Sequence, residues 1–297
     1  MWQQQLDEIR NGNTKTLARC ISLVENEAEG YESLLEQLQP SSTPIIGITG
    51  PPGAGKSTLV DALISVMVAQ GKKVAVLCVD PSSPFNLGAL LGDRIRMSEW
   101  YNDPNVFIRS LATRGSLGGL HPKIIEITEL VKFAGFDHVI VETVGVGQSE
   151  IEIAGLADVT IVVVVPEAGD EVQTMKAGLM EIADVFVVNK ADRPDADLFV
   201  RNLRLMLAPA FHNHSKPVPV IKTVASQKKN IPELLNAING VIHEHKQNNK
   251  RSWLLAEKAF HLIQQKKMAS IQKSELQQKI EAAGRDLNLY KFIKTYY

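Results

Sequence analysis

Between residues 50 and 57 the chain reads GPPGAGKS, three glycines that close on a lysine and a hydroxyl. Backbone N–H groups reach phosphate oxygens only where side chains stay out of the way. The loop from Gly50 through Gly53, Ala54 and Gly55 therefore has the composition of a phosphate cradle. Lys56 would reach the β- and γ-phosphates and Ser57 a Mg²⁺ ion. The flanks fit this chemistry. Ile45, Ile46 and Ile48 read as a buried strand, and Leu59, Val60, Leu63 and Val66 begin an amphipathic helix whose N-terminus faces the phosphates.

A second cluster, NKAD at 189–192, follows the apolar run ADVFVV. At a strand end behind a phosphate loop, this tetrapeptide suits guanine. Asp192 would accept hydrogen bonds from the imino and amino groups of the base, a donor pair that adenine lacks. Asn189 would hold loops together, and the Lys190 stem would cover the base plane. TVAS at 223–226 comes after the next strand and places the backbone of Ala225 where it could also meet the base. The expected ligands are GTP and GDP.

The metal side of such a site needs carboxylates near Ser57. Asp80 ends VAVLCVD, Glu142 ends HVIVE, and Asp93 stands in GALLGDRIRM. ETVG at 142–145 puts an acid at a strand end and then Gly145, whose N–H can meet a γ-phosphate. The longer reach of Glu142 would suit a water-mediated metal contact. Phosphoryl transfer needs positioning and charge neutralisation more than covalent chemistry, which assigns most of the work to the loop amides, Lys56 and Mg²⁺. No glutamine follows Gly145 directly; Gln148, three residues on, is the candidate to orient the attacking water. Arg94, Arg96, Arg109 and Arg114 are the nearest cations for phosphate or partner contact.

Composition narrows the setting. A net charge of −1 gives no global reason to expect nucleic acid or an anionic membrane surface. The ends differ: residues 1–43 carry three basic and seven acidic side chains, and 241–297 carry eleven and five, so these ends could meet each other or a symmetry mate. Cys20 and Cys78 are isolated, without a CxxC or Cys/His cluster, so neither a disulfide framework nor a zinc site is indicated. The opening MWQQQLDEIRNG lacks an apolar signal segment, and the run at 159–165 is too short to span a bilayer. The expectation is a cytoplasmic chain with no membrane and no nucleic-acid partner.

The elements that must position these residues follow from periodicity. Helical spacing over 2–38, broken near Gly12 and Gly30, predicts two or three short helices, and PSSTP at 40–44 ends them. Strands are predicted at 45–49, 73–79, 106–109, 138–142, 159–165, 185–189 and 218–223. Several are continuously apolar, as strands covered on both faces are. The predicted fold is α/β: a doubly wound, mainly parallel sheet with ligands at the carboxyl ends of its strands. The chain divides into an N-terminal helical extension (1–43), the sheet domain (44–242) and a C-terminal helical arm (243–297). The arm's apolar stripes need a surface, either the protein's own core or a second subunit.

VDPSSPF (79–85), GDRIRM (92–97), IRSLATRGSLGGL (108–120), ETVGVGQSE (142–150), PEAGDEVQ (166–173) and NKAD together resemble the MeaB/ArgK family of P-loop GTPases. The likeness runs from about Ile9 to Leu235 and is loose beyond 245. It implies a GTPase chaperone that gates cobalamin loading and protects a cobalamin-dependent acyl-CoA mutase such as methylmalonyl-CoA mutase, working as a homodimer through a C-terminal arm. By the same resemblance Lys56, Ser57 and Thr58 bind phosphates and metal; Asp80, Asp93 and Glu142 surround Mg²⁺; Asn189, Lys190 and Asp192 bind guanine; and Gly169 to Lys176 form a switch toward the partner. Two residues depart from the pattern: Glu167 where the family has glycine, and His121 where serine or threonine is common. Competing readings are an ATP-dependent kinase or transport accessory, which NKAD opposes, a metal-insertion GTPase, and a binding module without turnover. For metal insertion the candidate ligands would be His212, His214, His243 and His245, with no cysteine beside them.

Overall fold

The computed structural model describes residues 2–80, 97–114, 119–145, 152–167, 179–207, 217–247, 250–284 and 287–296. Asp93, Arg94, Arg96, Gln148, the segment 169–176, His212 and His214 lie outside them. Residues Met1–Leu254 form one compact unit and Leu255–Tyr297 a second.

The first unit is built on seven strands: β1 (Ile45–Thr49), β2 (Val74–Asp80), β3 (Val106–Ala112), β4 (His138–Glu142), β5 (Val159–Val164), β6 (Val185–Val188) and β7 (Val220–Lys222). They form one sheet in the order β3-β2-β4-β1-β5-β6-β7, and every pairing is parallel. The expected architecture is present, with one strand longer than predicted. β3 runs on to Ala112 because it pairs with β2 over seven residues, up to Asp80 opposite Ala112.

Both faces of the sheet are covered, which explains the unbroken apolar runs. One face sets Val74, Val76 and Cys78 of β2 and Ile161 and Val163 of β5 against α4 (Lys56–Ala69) and α9 (Ile231–Gln247). The other sets Ala75, Leu77 and Val79 against α5 (Ile124–Phe133) and the N-terminal helices α1 (Gln3–Arg10) and α2 (Thr14–Glu25). α3 (Tyr31–Leu35) adds Leu34 to that core. Gly12 and Gly30 break these helices at φ of 86° and 85°, backbone that glycine adopts without strain. Farther along the same face, Val200, Leu203 and Leu207 of α8 (Ala196–Leu207), with Met180 and Ile182 of the short α7 (Leu179–Ile182), cover Val162, Phe186 and Val220. At Gly47 a Cβ would stand 2.5 Å from Ile153 Cγ1, so the short α6 (Ile153–Leu156) packs directly on the backbone of β1.

Aspartates close the amino ends of the strands. Asp158 accepts from Ile45 N at 2.7 Å and Asp184 from Thr160 N at 2.8 Å, satisfying amides that begin the ladder. His245, near the end of α9, meets the Asp158 carbonyl at 2.8 Å through Nδ1. The second unit holds most of α10 (Lys250–Met268), then α11 (Lys273–Ala283) and α12 (Leu289–Ile293). Phe260, Ile263 and Tyr290 are exposed there. No helix among the described residues is long and apolar enough to cross a membrane. Cys20 and Cys78 are both buried and form no disulfide.

His121 lies just before α5, buried to 2 % exposure. Its Nδ1 accepts from Lys123 N at 3.0 Å, which places the ring proton on Nε2, an atom with no hydrogen-bond partner among the described residues. Burial, aided by the charges of Arg114 and Lys123, lowers its pKa to about 4. The native state thus binds fewer protons than the unfolded chain between the ordinary histidine value, about 6.5, and 4. The stability held by neutral His121 is complete above that range and is lost as pH falls through it. His121→Gln should flatten this part of the stability profile, measured by urea unfolding from pH 7 to 4 against wild type. Parallel profiles would contradict the assignment.

Candidate functional site

The carboxyl ends of β1, β2 and β4 open on a cleft of about 430 Å³. It is lined by Gly53, Gly55, Lys56, Ser57 and Thr58 from the loop and first turn of α4, by Asp80, Glu142 and Thr143 from strand ends, and by Lys190. This is the crevice where parallel sheets take ligands, and α4 points its N-terminus into it.

Three glycines combine a positive φ with close neighbours. Gly50, at φ 141°, would put a Cβ 2.1 Å from the Val163 carbonyl oxygen. Gly55, at φ 88°, would meet Asn189 Nδ2 at 2.4 Å. Gly145, also at φ 88°, would meet Lys56 Nζ at 2.2 Å. By contrast, a Cβ on Gly53 (φ 77°) has open space around it, so that glycine is required by its backbone conformation alone.

Lys56 is buried, and its ammonium donates to the carbonyls of Gly50 at 2.8 Å and Pro51 at 3.2 Å. The loop thus curls back on its own lysine and holds that charge at the cleft floor. Lys190, in left-handed backbone at φ 55°, donates to the Gly53 carbonyl at 2.8 Å and sets a second cation on the rim. Ser57 Oγ donates to Glu142 Oε1 at 2.8 Å, so the longer acid reaches the hydroxyl directly. Thr143 continues the floor with a 3.1 Å bond from its hydroxyl to Thr49 Oγ1.

Asn189 joins the two halves. Its Nδ2 donates to the Ala54 carbonyl at 2.9 Å, while Oδ1 accepts from Thr223 Oγ1 and from Ala225 N, both at 3.1 Å. The phosphate loop, the NKAD turn and the TVAS turn therefore share one buried amide. Asp192 is exposed in the turn beyond it. It does not line the phosphate cleft, and neither does Ala225, which is buried behind Asn189. Thr223 and Thr143 are site residues that motif reading passes over. TVAS marked the first only for its backbone.

The donor set on the metal side is a hydroxyl and two carboxylates: Ser57, Asp80 and Glu142, all lining one cleft. Hard oxygen donors in small number, beside a phosphate cradle, fit Mg²⁺, which keeps waters and shares its shell with phosphates. Among the described residues no group of three or more His, Cys, Asp or Glu side chains gathers as a metal site. One expectation is corrected: of the phosphate or partner contacts expected of Arg109 and Arg114, the phosphate contact is not made, since neither lines the cleft. Both guanidinium groups turn toward α2, where Arg109 meets the Glu25 carboxylate and the Ser22 hydroxyl, and Arg114 the Glu25 carbonyl and Asn26 Oδ1. Glu167, which stands where the family has glycine, forms an ion pair with Arg193, next to Asp192.

Comparison with known proteins agrees with this geometry. The sequence profile described as "Methylmalonyl Co-A mutase-associated GTPase MeaB" matches residues 17–285. A protein of Pyrococcus abyssi named as a GTPase is 47% identical over 263 residues, which is 87% of this chain and 80% of its own. The fused isobutyryl-CoA mutase of Geobacillus kaustophilus is 38% identical over 238 residues, 75% of this chain but 22% of its own. Among solved structures, a LAO/AO transport system kinase superposes with a TM-score of 0.65 at 28% identity, covering 99% of this chain and 95% of that one. A cleft with a phosphate loop, a metal-side serine–glutamate pair and an NKAD turn tied to it, in a chain matched along this length, belongs to a GTPase of the MeaB family.

Proposed function

We propose that this GTPase is the nucleotide-gated chaperone of a cobalamin-dependent acyl-CoA mutase, controlling cofactor loading and protecting the loaded enzyme. The observation that carries the reading is the Geobacillus relative, in which a segment homologous to this chain belongs to a protein named a fused isobutyryl-CoA mutase. Fusion keeps two activities at high effective concentration. The cofactor then resides in the partner, and this chain supplies the timing.

In this reading GTP lies with its phosphates over the amides of Gly53 to Thr58 and its base between the Lys190 stem and Asp192. Lys56, already positioned by Gly50 and Pro51, exchanges these carbonyls for phosphate oxygens and offsets charge that grows in transfer. Gly145, against whose Cα side the Lys56 ammonium rests, brings its N–H to the γ-phosphate. Mg²⁺, when bound, neutralises phosphate charge, and Ser57, Asp80, Asp93 and Glu142 would hold it. Gln148 orients the attacking water. Gly169 to Lys176 report the nucleotide state to the mutase, and Glu167, two residues before that segment in sequence, pairs with Arg193 beside the NKAD turn.

The exposed apolar side chains Leu255, Phe260 and Ile263 of α10 support a homodimer formed through the C-terminal arm, residues 243–297. An N-terminal helical extension over 1–43 and a GTPase domain over 44–242 complete the organisation. The two cysteines, which form no disulfide, suit a reducing cytoplasm.

The test is capture from the native source with protein loaded with GDP or with a non-hydrolysable GTP analogue. Recovery of a cobalamin-dependent mutase in one nucleotide state more than the other is expected; no mutase in either state would overturn the chaperone reading. Lys56→Ala should lower GTP hydrolysis at least about 100-fold with an unchanged circular dichroism spectrum. Wild-type turnover in that variant would remove the phosphate loop from the site. Asp192→Asn should move preference from guanine to xanthine nucleotides in competition binding, and an unchanged order would reduce NKAD to a turn.

A further inference from the structure

The carboxylate of Asp80 enters the cleft from the last residue of β2, and the sheet supports that residue unevenly. The ladder from β2 to β4 stops at Cys78 opposite Glu142. The ladder to β3 continues two residues farther, to Asp80 opposite Ala112, and ends with Thr113 N donating to the Asp80 carbonyl at 3.1 Å. Strand support for the Asp80 backbone therefore comes from the end of β3. β3 is an edge strand of the described sheet, and edge-strand ends open more readily than interior ones.

That end is held from outside the sheet. Arg109 of β3 donates Nη2 to the Glu25 carboxylate and, at 3.0 Å, to Ser22 Oγ. Arg114 donates Nη1 to the Glu25 carbonyl at 2.6 Å and Nη2 to Asn26 Oδ1 at 2.9 Å. Glu25 is the last residue of α2 and Asn26 its C-cap, so the two guanidinium groups sit at the negative end of a helix dipole. Arg114 has a φ of 47°, a left-handed conformation uncommon for residues that carry a side chain. Lys123, on the far side of the same segment, pairs with Glu27 at 3.2 Å. α2 itself is fixed by Leu17, Cys20, Ile21 and Val24 in the core.

We propose that Arg114, together with Arg109, is a positioning residue of the hydrolytic site: anchored on the C-terminal end of α2, it fixes the end of β3 and so the backbone from which Asp80 faces the metal side. The N-terminal helices thereby tune how strongly Mg²⁺ tightens nucleotide binding, although none of them lines the cleft. This rests on the reading of Asp80 as a metal-side carboxylate of a nucleotide site.

The test uses the full chain as wild type, Arg114→Ala, Arg114→Lys, Asn26→Ala and the double variant of Arg114→Ala with Asn26→Ala. Two quantities are read: amide hydrogen exchange at Thr113 without nucleotide, and the Mg²⁺ concentration that half-maximally tightens a fluorescent non-hydrolysable GTP analogue. In Arg114→Ala, Thr113 should exchange about tenfold faster. Its Mg²⁺ half-point should rise about tenfold, the range found when supports behind a metal ligand are removed, with binding in EDTA unchanged. Arg114→Lys should recover part of both, and Asn26→Ala should add nothing in the double variant. A lowered melting temperature with wild-type exchange at Thr113 and a wild-type Mg²⁺ half-point would overturn the proposal alone. Nucleotide binding by wild type that ignores Mg²⁺ would overturn the site reading and this proposal with it.

Discussion

The buried side-chain amide of Asn189 is the interaction on which the site depends. It bonds the phosphate loop at Ala54, the hydroxyl of Thr223 and the backbone of Ala225. Each of those partners is a polar group that cannot be left unpaired in the interior without a cost of about 1–3 kcal/mol. The three segments come from different parts of the chain, and this amide ties the loop read as the phosphate cradle to the two turns read as the base side.

The glycine pattern is a consequence of this closeness. Gly55 lacks a Cβ because Asn189 Nδ2 stands where it would be, and Gly145, beside the Lys56 ammonium, is held to glycine by its φ of 88°. Gly50 gives way to the carbonyl of Val163 in β5, two strands' worth of backbone meeting at the strand end. A loop so constrained has its backbone shaped before a ligand arrives, while Lys56 must still release the carbonyls of Gly50 and Pro51. On the other side of the cleft the direct bond from Ser57 to Glu142 holds the hydroxyl at the metal side.

Much of this was legible in the residues and some was not, for physical reasons. GPPGAGKS and NKAD announce themselves because glycine, lysine and aspartate at fixed spacing have few alternative uses. The apolar runs revealed strands buried on both faces, yet nothing local in HVIVE says that β4 lies between β2 and β1. Non-local pairing is decided by crossover geometry and packing. The destinations of Arg109 and Arg114 were equally hidden. An arginine beside a glycine-rich loop suits a phosphate as well as it suits the end of a helix, and only the fold shows that α2 comes there first. Thr223 stayed unread because a buried threonine acquires its role from the amide opposite it.

The central claim is that a cleft organised by Asn189 binds a guanine nucleotide. It is tested most directly by displacing a fluorescent GDP analogue from the full chain with unlabelled GDP or ADP in the presence of Mg²⁺. A site built around paired polar contacts to one base predicts displacement by GDP at a concentration at least about 100-fold lower than by ADP. Equal displacement by the two nucleotides would contradict the account.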